Sequence, residues 1–197
     1  MPAASSTRSS SIVIVASWLA FLWAVFVADV ILRAAHIIDL AMVIGLRPRT
    51  KDGLWGIAGS HILHANLEHI VSNSVGLLVL GLTSCWYSQR LTAWAVFYAA
   101  ICSGTLTWLI APAGSVHIGA SGVLFGLVGF LVFNGLFRRS WGAFFLALLI
   151  GVLASGIVPG MLPTAENAAN LISWQMHLGG FIGGAIASWQ LRREKAV

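Results

Sequence analysis

Charge is what this chain has least of. Eleven Lys and Arg and six Asp and Glu among 197 residues make 9% charged, where ordinary globular chains run near a quarter. A water-facing surface cannot be built from that supply. A soluble enzyme, a nucleic-acid binder, a disordered tail and a coiled coil are therefore all excluded. Cysteine is nearly absent too: Cys85 and Cys102 both sit inside apolar stretches and give no disulfide framework. The N-terminal apolar stretch that follows Arg8 lacks a clear small-x-small cleavage site and stays uncharged as far as Ala28. It is expected to remain as a membrane span and not to be removed as a leader.

What is present is apolar. The hydrophobic fraction is 58%, with a mean hydropathy of +0.90. Uncharged runs cover 9–28, 69–89, 91–137, 140–165 and 167–191. About 20 apolar residues cross a bilayer core, so four runs fit one span each, and the longest must fold back on itself. Six spans are expected, at about 11–32, 67–87, 91–111, 120–137, 141–158 and 171–191. Residues 1–11, rich in serine, read as a flexible tail. Residues 12–191 form one membrane domain, and 192–197 a short basic tail. Trp86, Trp94, Trp108, Trp141, Trp174 and Trp189 fall near span ends, as an aromatic belt requires.

The basic residues sit between spans. Arg8, Arg90, Arg138, Arg139, Arg192, Arg193 and Lys195 fall on one side; Arg33, Arg47, Arg49 and Lys51 share the first loop on the other. The bias places both termini in the cytoplasm. That first loop, 33–60, contains the partly amphipathic HIIDLAMVIGL, suited to the interface. Asn66 is the expected N-cap of the second span, with Glu68 in its first turn.

Polar side chains are costly in hydrocarbon, so the few inside or beside spans are functional candidates. Ser121 opens the fourth span in Gly119-Ala120-Ser121-Gly122. A serine at that junction lies beside free backbone N–H groups able to stabilise an oxyanion; a serine bonded back to its own helix is the plainer alternative. His177 lies at similar depth in the sixth span, with Gly180 and Gly184 on the same helical face. Gly122 and Gly126 form a matching pair beside Ser121, and two such faces in contact would bring serine and imidazole within reach. Packing glycines with a histidine bonded to a carbonyl would look the same.

His69 and Asn73 share one face of the second span, either as oxyanion donors or as polar groups holding helices together. His61 and His64 could equally be loop histidines facing water. Their spacing with His69 does not match a zinc helix, so neither a metal nor any other cofactor is expected. None of the six acidic residues lies near His177, so catalysis here would use a Ser–His dyad, with Phe125 one turn beyond the serine able to pack on the imidazole.

Together these residues resemble the rhomboid family of intramembrane serine proteases. His64-x4-His69-x3-Asn73 is similar to its oxyanion motif, Gly119-Ala120-Ser121-Gly122 with Phe125 to its nucleophile motif, and His177-x-x-Gly180-x-x-x-Gly184 to its general-base motif. Gly45-Leu46-Arg47-Pro48-Arg49 through Gly53-Leu54-Trp55-Gly56-Ile57 resembles the lead-in to the second span in one branch. The resemblance implies an all-α, six-transmembrane-helix bundle with Ser121 as nucleophile and His177 as base. His69, Asn73 and the Ser121 amide would form the oxyanion hole, supported by His64. The site would open to the outer side of the plasma membrane, with the fifth span and the loop after it as substrate gate. Substrates would be single-span membrane proteins, cut within or next to the bilayer. Departures from the family pattern are Phe125 in place of the frequent tyrosine, Met176 in place of alanine, and a first loop without the Trp-Arg pair. An inactive relative that binds transmembrane segments is the alternative; a small transporter, which would favour midplane charges and inverted repeats, ranks last.

Overall fold

Residues 3–138, 144–145, 157–169 and 172–194 are described by the computed structural model. Among them every regular element is helical, as a chain with so little charge and so few breaks requires. Helix α1 spans Ala3–Ala34. The serine-rich start expected as a flexible tail is thus helical from Ala3. Gln89 Nε2 donates to the Ser10 and Ser11 hydroxyls at 2.7 and 3.0 Å, joining this part of α1 to a distant part of the chain. At the other end of α1, Asp29 is buried, pairs with Arg33 at 3.0 Å and accepts the Leu40 N–H at 3.1 Å. It thereby ties α1 to α2 (Leu40–Ile44), which Asp39 caps. A short helix, α3 (Gly56–Gly59), completes the first loop.

Asn66 does cap α4 (Leu67–Gly76), its side-chain oxygen accepting the His69 N–H at 2.9 Å. A π-helical turn over Leu77–Gly81 leads into α5 (Leu82–Ile110). This long stretch is a hairpin and not a rod. Ser88 takes an extended conformation (φ −169°, ψ 117°), and its hydroxyl accepts the Leu91 N–H at 3.4 Å, capping the returning arm. Trp108 Nε1 donates to Thr50 O and Arg49 Nη1 to Leu109 O, both at 3.0 Å, so α5 ends beside the loop that leads into α4. Two described helical stretches, 8–34 and 67–110, are long and apolar enough to cross a membrane, the second of them being this hairpin.

The remaining helices are α6 (Ser121–Phe137), the short α7 (Ile157–Gly160) and α8 (Ala165–Ala169), and α9 (Trp174–Gln190). The expected span 141–158 lies almost wholly outside the described residues. The chain reverses at two levels. At one, Arg138 donates to Leu191 O at 2.7 Å and Arg90 pairs with Glu194 at 3.3 Å, beside the Gln89–Ser10 contact. At the other lie the first loop, the start of α4, the end of α5 and the first turns of α6 and α9.

Glycine sets how closely these helices pack. Gly180 of α9 lies against the Gly122 backbone of α6, and Gly184 against Gly126 and Phe130. Gly179 and Gly183, on another face of α9, meet Ser103 and Ala99 of α5. Small residues let backbones touch where no hydrophobic force drives association. Leu22, Leu77, Leu91, Leu127, Phe130 and Leu131 fill the interior, while Ile12, Phe21, Val75, Phe97 and Trp189 point outward.

Candidate active site

Helix α6 begins at Ser121; its cap residue Ala120 makes no side-chain cap bond, and the Val123 and Leu124 N–H groups donate to Ala120 O at 3.0 and 3.1 Å. The lead-in is held by the first loop. Leu46 and His117 exchange backbone hydrogen bonds (3.0 and 2.9 Å), and the Gly119 N–H donates to Ser60 O at 2.8 Å. Gly119 has φ +130°, a conformation side chains rarely adopt, and a Cβ there would stand 2.6 Å from His69 Cε1 and Nε2. The His69 ring therefore lies over this glycine, two residues before the serine.

His177 enters one turn into α9, where its N–H meets Ser173 O. The backbone contact at Gly122 and Gly180 draws the two helix starts together. As a result His177 Nε2 sits 2.9 Å from Ser121 Oγ. The other nitrogen, Nδ1, is 2.9 Å from Gly160 O. A carbonyl only accepts, so Nδ1 carries the proton. Nε2 of the neutral ring is then an acceptor, and the Ser121 hydroxyl donates to it. Phe125 stacks on the imidazole, centroids 4.0 Å apart and planes within 9°. These contacts fix the ring on three sides and leave one proton path, from serine to imidazole.

His69 and Asn73 stand on α4. Asn73 is buried, and its Nδ2 has no hydrogen-bond partner among the described residues. An unpaired buried amide donor costs about 1–3 kcal/mol. His64 is buried and packs edge-on against His69 at 5.2 Å. His61 is buried as well, with Nε2 3.1 Å from Ala100 O. Of the alternatives left open for His61 and His64, the loop position facing water is not the one found, since both are buried.

Sequence reasoning missed a second histidine network. Ser115 Oγ donates to Pro112 O at 2.6 Å, so it accepts from His117 Nε2 at 2.7 Å, and His117 Nδ1 accepts from Ser173 Oγ at 2.7 Å. This chain joins the lead-in of Ser121 to the cap of the helix that carries His177. Burial holds the His117 pKa down from 6.5 to about 4. Ser115-x-His117 outside the spans was the available signal. Gly160 was missed because a backbone acceptor leaves no mark in sequence; beside Pro159 it read only as a helix stop.

The arrangement defines a helical protein with a hydrogen-bonded serine–histidine pair where two glycine-packed helices begin. Comparison with known proteins then gives the family: the Rhomboid domain model matches residues 51–194. The chain belongs to the rhomboid family and is an integral membrane protein. It is 38% identical over 152 residues to an uncharacterized protein of Mycobacterium tuberculosis, covering 75% of this chain and 63% of that one. Over 185 residues it is 35% identical to an uncharacterized protein of Mycobacterium leprae, 91% of this chain and 70% of the other. RHOMBOID-like protein 1 of Arabidopsis thaliana is 28% identical over 152 residues, 75% of this chain and 36% of its own length. The chain thus spans less than two thirds of the length of the M. tuberculosis protein.

Proposed function

We propose that this protein is an intramembrane serine endopeptidase that cleaves single-span membrane proteins within or next to their transmembrane segment. The observation that carries the reading is the 2.9 Å contact from Ser121 Oγ to His177 Nε2, on a ring whose other nitrogen is already committed to Gly160 O. Ser121 Oγ attacks the scissile carbonyl as its proton passes to His177 Nε2. The oxyanion forms opposite the Ser121 N–H and the side chains of His69 and Asn73, with His64 steadying His69. Collapse of the tetrahedral adduct breaks the C–N bond; His177 returns the proton to the leaving amine, and the acyl group stays on Ser121. Water, deprotonated by His177, releases the second product and restores the serine. No carboxylate is needed, because Gly160 O and the Phe125 ring orient the base.

The six-span arrangement belongs to this proposal. The reversal at Ser88 and the clustering of Arg90, Arg138, the start of α1 and the end of α9 at one level support it, with both termini cytoplasmic. The site then opens to the outer side of the plasma membrane, where hydrolytic water is available.

The test is covalent labelling of detergent-solubilised protein with a serine-directed fluorophosphonate, together with cleavage of a single-span reporter. Wild type is expected to label and cleave, while Ser121→Ala and His177→Ala do neither at unchanged melting temperature. Labelling that persists in Ser121→Ala would assign the nucleophile elsewhere. A folded wild type that never labels but still retains a transmembrane segment would favour a binding role.

A further inference from the structure

The chain has no carboxylate to orient its base, yet His177 Nδ1 is not left to solvent. Its acceptor, Gly160 O, belongs to the last residue of the one-turn α7, where the chain turns toward α8. Pro159, Gly160 and Pro163 lie within five residues, and such punctuation disfavours regular hydrogen bonding. Two backbone bonds turn the segment, Leu162 N–H to Pro159 O at 3.0 Å and Thr164 N–H to Leu162 O at 2.8 Å, and one buried side chain ties it to α8. Asn167, 4% exposed, directs both amide protons of Nδ2 into it, to Pro159 O and Leu162 O, each at 2.7 Å. Those two carbonyls flank Gly160 in sequence. The Asn167 N–H is in turn fixed by Thr164 Oγ1 at 3.1 Å. A Cβ on Gly160 would stand 3.3 Å from both His177 Nδ1 and Phe125 Cζ, so the glycine backbone rests directly on the stacked rings.

We propose that Asn167 is the positioning residue of the catalytic base: by clamping Pro159 O and Leu162 O it presents the Gly160 carbonyl to His177 Nδ1, which places the ring proton there and leaves Nε2 to take the proton of Ser121. The clamp does the work a carboxylate would do in a triad, at one remove and without charge. A buried carboxylate at that depth would be costly, whereas a backbone carbonyl is already present and needs only to be aimed. Both amide protons are used, so the geometry constrains the segment at two points 3 residues apart and leaves the carbonyl between them little freedom.

The proposal rests on the Ser121–His177 reading, and the experiment separates the two. The full-length protein, labelled with [15N]histidine and held in detergent, is compared as wild type, Asn167→Asp and Asn167→Ala. His177 resonances are assigned by their loss in His177→Gln. One measurement is the second-order rate of fluorophosphonate labelling; the other is which nitrogen of His177 carries the proton, read from 15N chemical shifts. Asn167→Asp keeps the shape but removes both donors. The expected result is a proton on Nδ1 in wild type, its redistribution toward Nε2 in both variants, and a fall in labelling of at least about ten-fold.

Retention of the Nδ1 proton in a folded Asn167→Asp overturns the proposal, whatever the labelling rate. So does a shifted tautomer with labelling undiminished, or a wild type protonated on Nε2. Should the Asn167 variants fail to fold, Gly160→Ala perturbs the same contact from the other side, and the proposal then requires a changed His177 tautomer population with slower labelling. A folded wild type that is protonated on Nδ1 but does not label would refute the dyad and, with it, any catalytic role for the clamp, whereas normal labelling with an unaltered variant tautomer would refute the clamp alone.

Discussion

Replacing Gly180 with alanine probes the closest helix contact in the site. The added Cβ would lie 2.7 Å from the Gly122 carbonyl carbon, and nearer still to its oxygen, where real Cβ atoms keep at least 3.0 Å. The obstacle is backbone on both sides, so no side chain can swing away. Restoring ordinary contact, about 3.5 Å between carbons, requires the starts of α6 and α9 to part by on the order of 1 Å. Overpacking of this kind costs about 1–3 kcal/mol of stability. The larger effect is on the chemistry. Ser121 and His177 stand on the two helices being pushed apart, and their 2.9 Å hydrogen bond would open beyond bonding distance. A displacement of about 1 Å can cost on the order of 100-fold in rate. Gly180→Ala should therefore remain folded with a lower melting temperature, and its fluorophosphonate labelling should fall by about 100-fold. Ile186→Ala, on an exposed position of the same helix, serves as the control and should change labelling little. Labelling of Gly180→Ala within three-fold of wild type, at an unchanged melting temperature, would refute the reasoning, because the two backbones would then not be in contact at this point.

Phe125→Leu removes the ring stacked 4.0 Å from His177; an aromatic contact worth about 0.5–1.5 kcal/mol predicts labelling slower by roughly 2- to 12-fold, and unchanged kinetics would show the ring is idle. Asn73→Ala takes away a buried donor without a described partner, so catalysis should drop by about 100- to 1,000-fold with stability held or slightly raised, as measured by reporter cleavage and thermal melting. Gly119→Ala meets both the positive φ and the His69 ring; it should lose on the order of 1–3 kcal/mol of stability along with most labelling. His117, held near a pKa of about 4 by burial, binds its proton more weakly folded than unfolded. Its contribution is complete above about pH 6.5 and is lost as pH falls toward 4, to a limit of about 3 kcal/mol. The melting temperature of wild type should fall through that window more steeply than that of His117→Gln, and parallel curves would contradict the assignment.

The expected helix positions agree best where they rest on local rules. The cap at Asn66, the start of α6 at Ser121 and the end of α5 at Ile110 fall within a residue of expectation. The serine-rich start differs, being helical from Ala3, and Ser10 and Ser11 accept from Gln89, far away in sequence. The turn between the second and third spans tightened to a single extended residue, since Ser88 caps the returning arm with its own hydroxyl. For His61 and His64 the sequence left a water-facing loop position open beside a supporting role, and both are buried.

Sequence alone determined that this chain is a helical membrane protein, and it picked out Ser121, His177, His69 and Asn73. Apolar runs, glycine spacing and polar residues in apolar surroundings are properties of short stretches, and a bilayer reads them locally. Tertiary structure alone decided which of those residues meet. Ser121 and His177, 56 residues apart in sequence, are brought to 2.9 Å by glycine contacts between their helices. The acceptor that sets the tautomer of the base is a main-chain carbonyl, Gly160 O. Every residue carries such a carbonyl, so no side-chain pattern can announce which one the fold will bring to the ring.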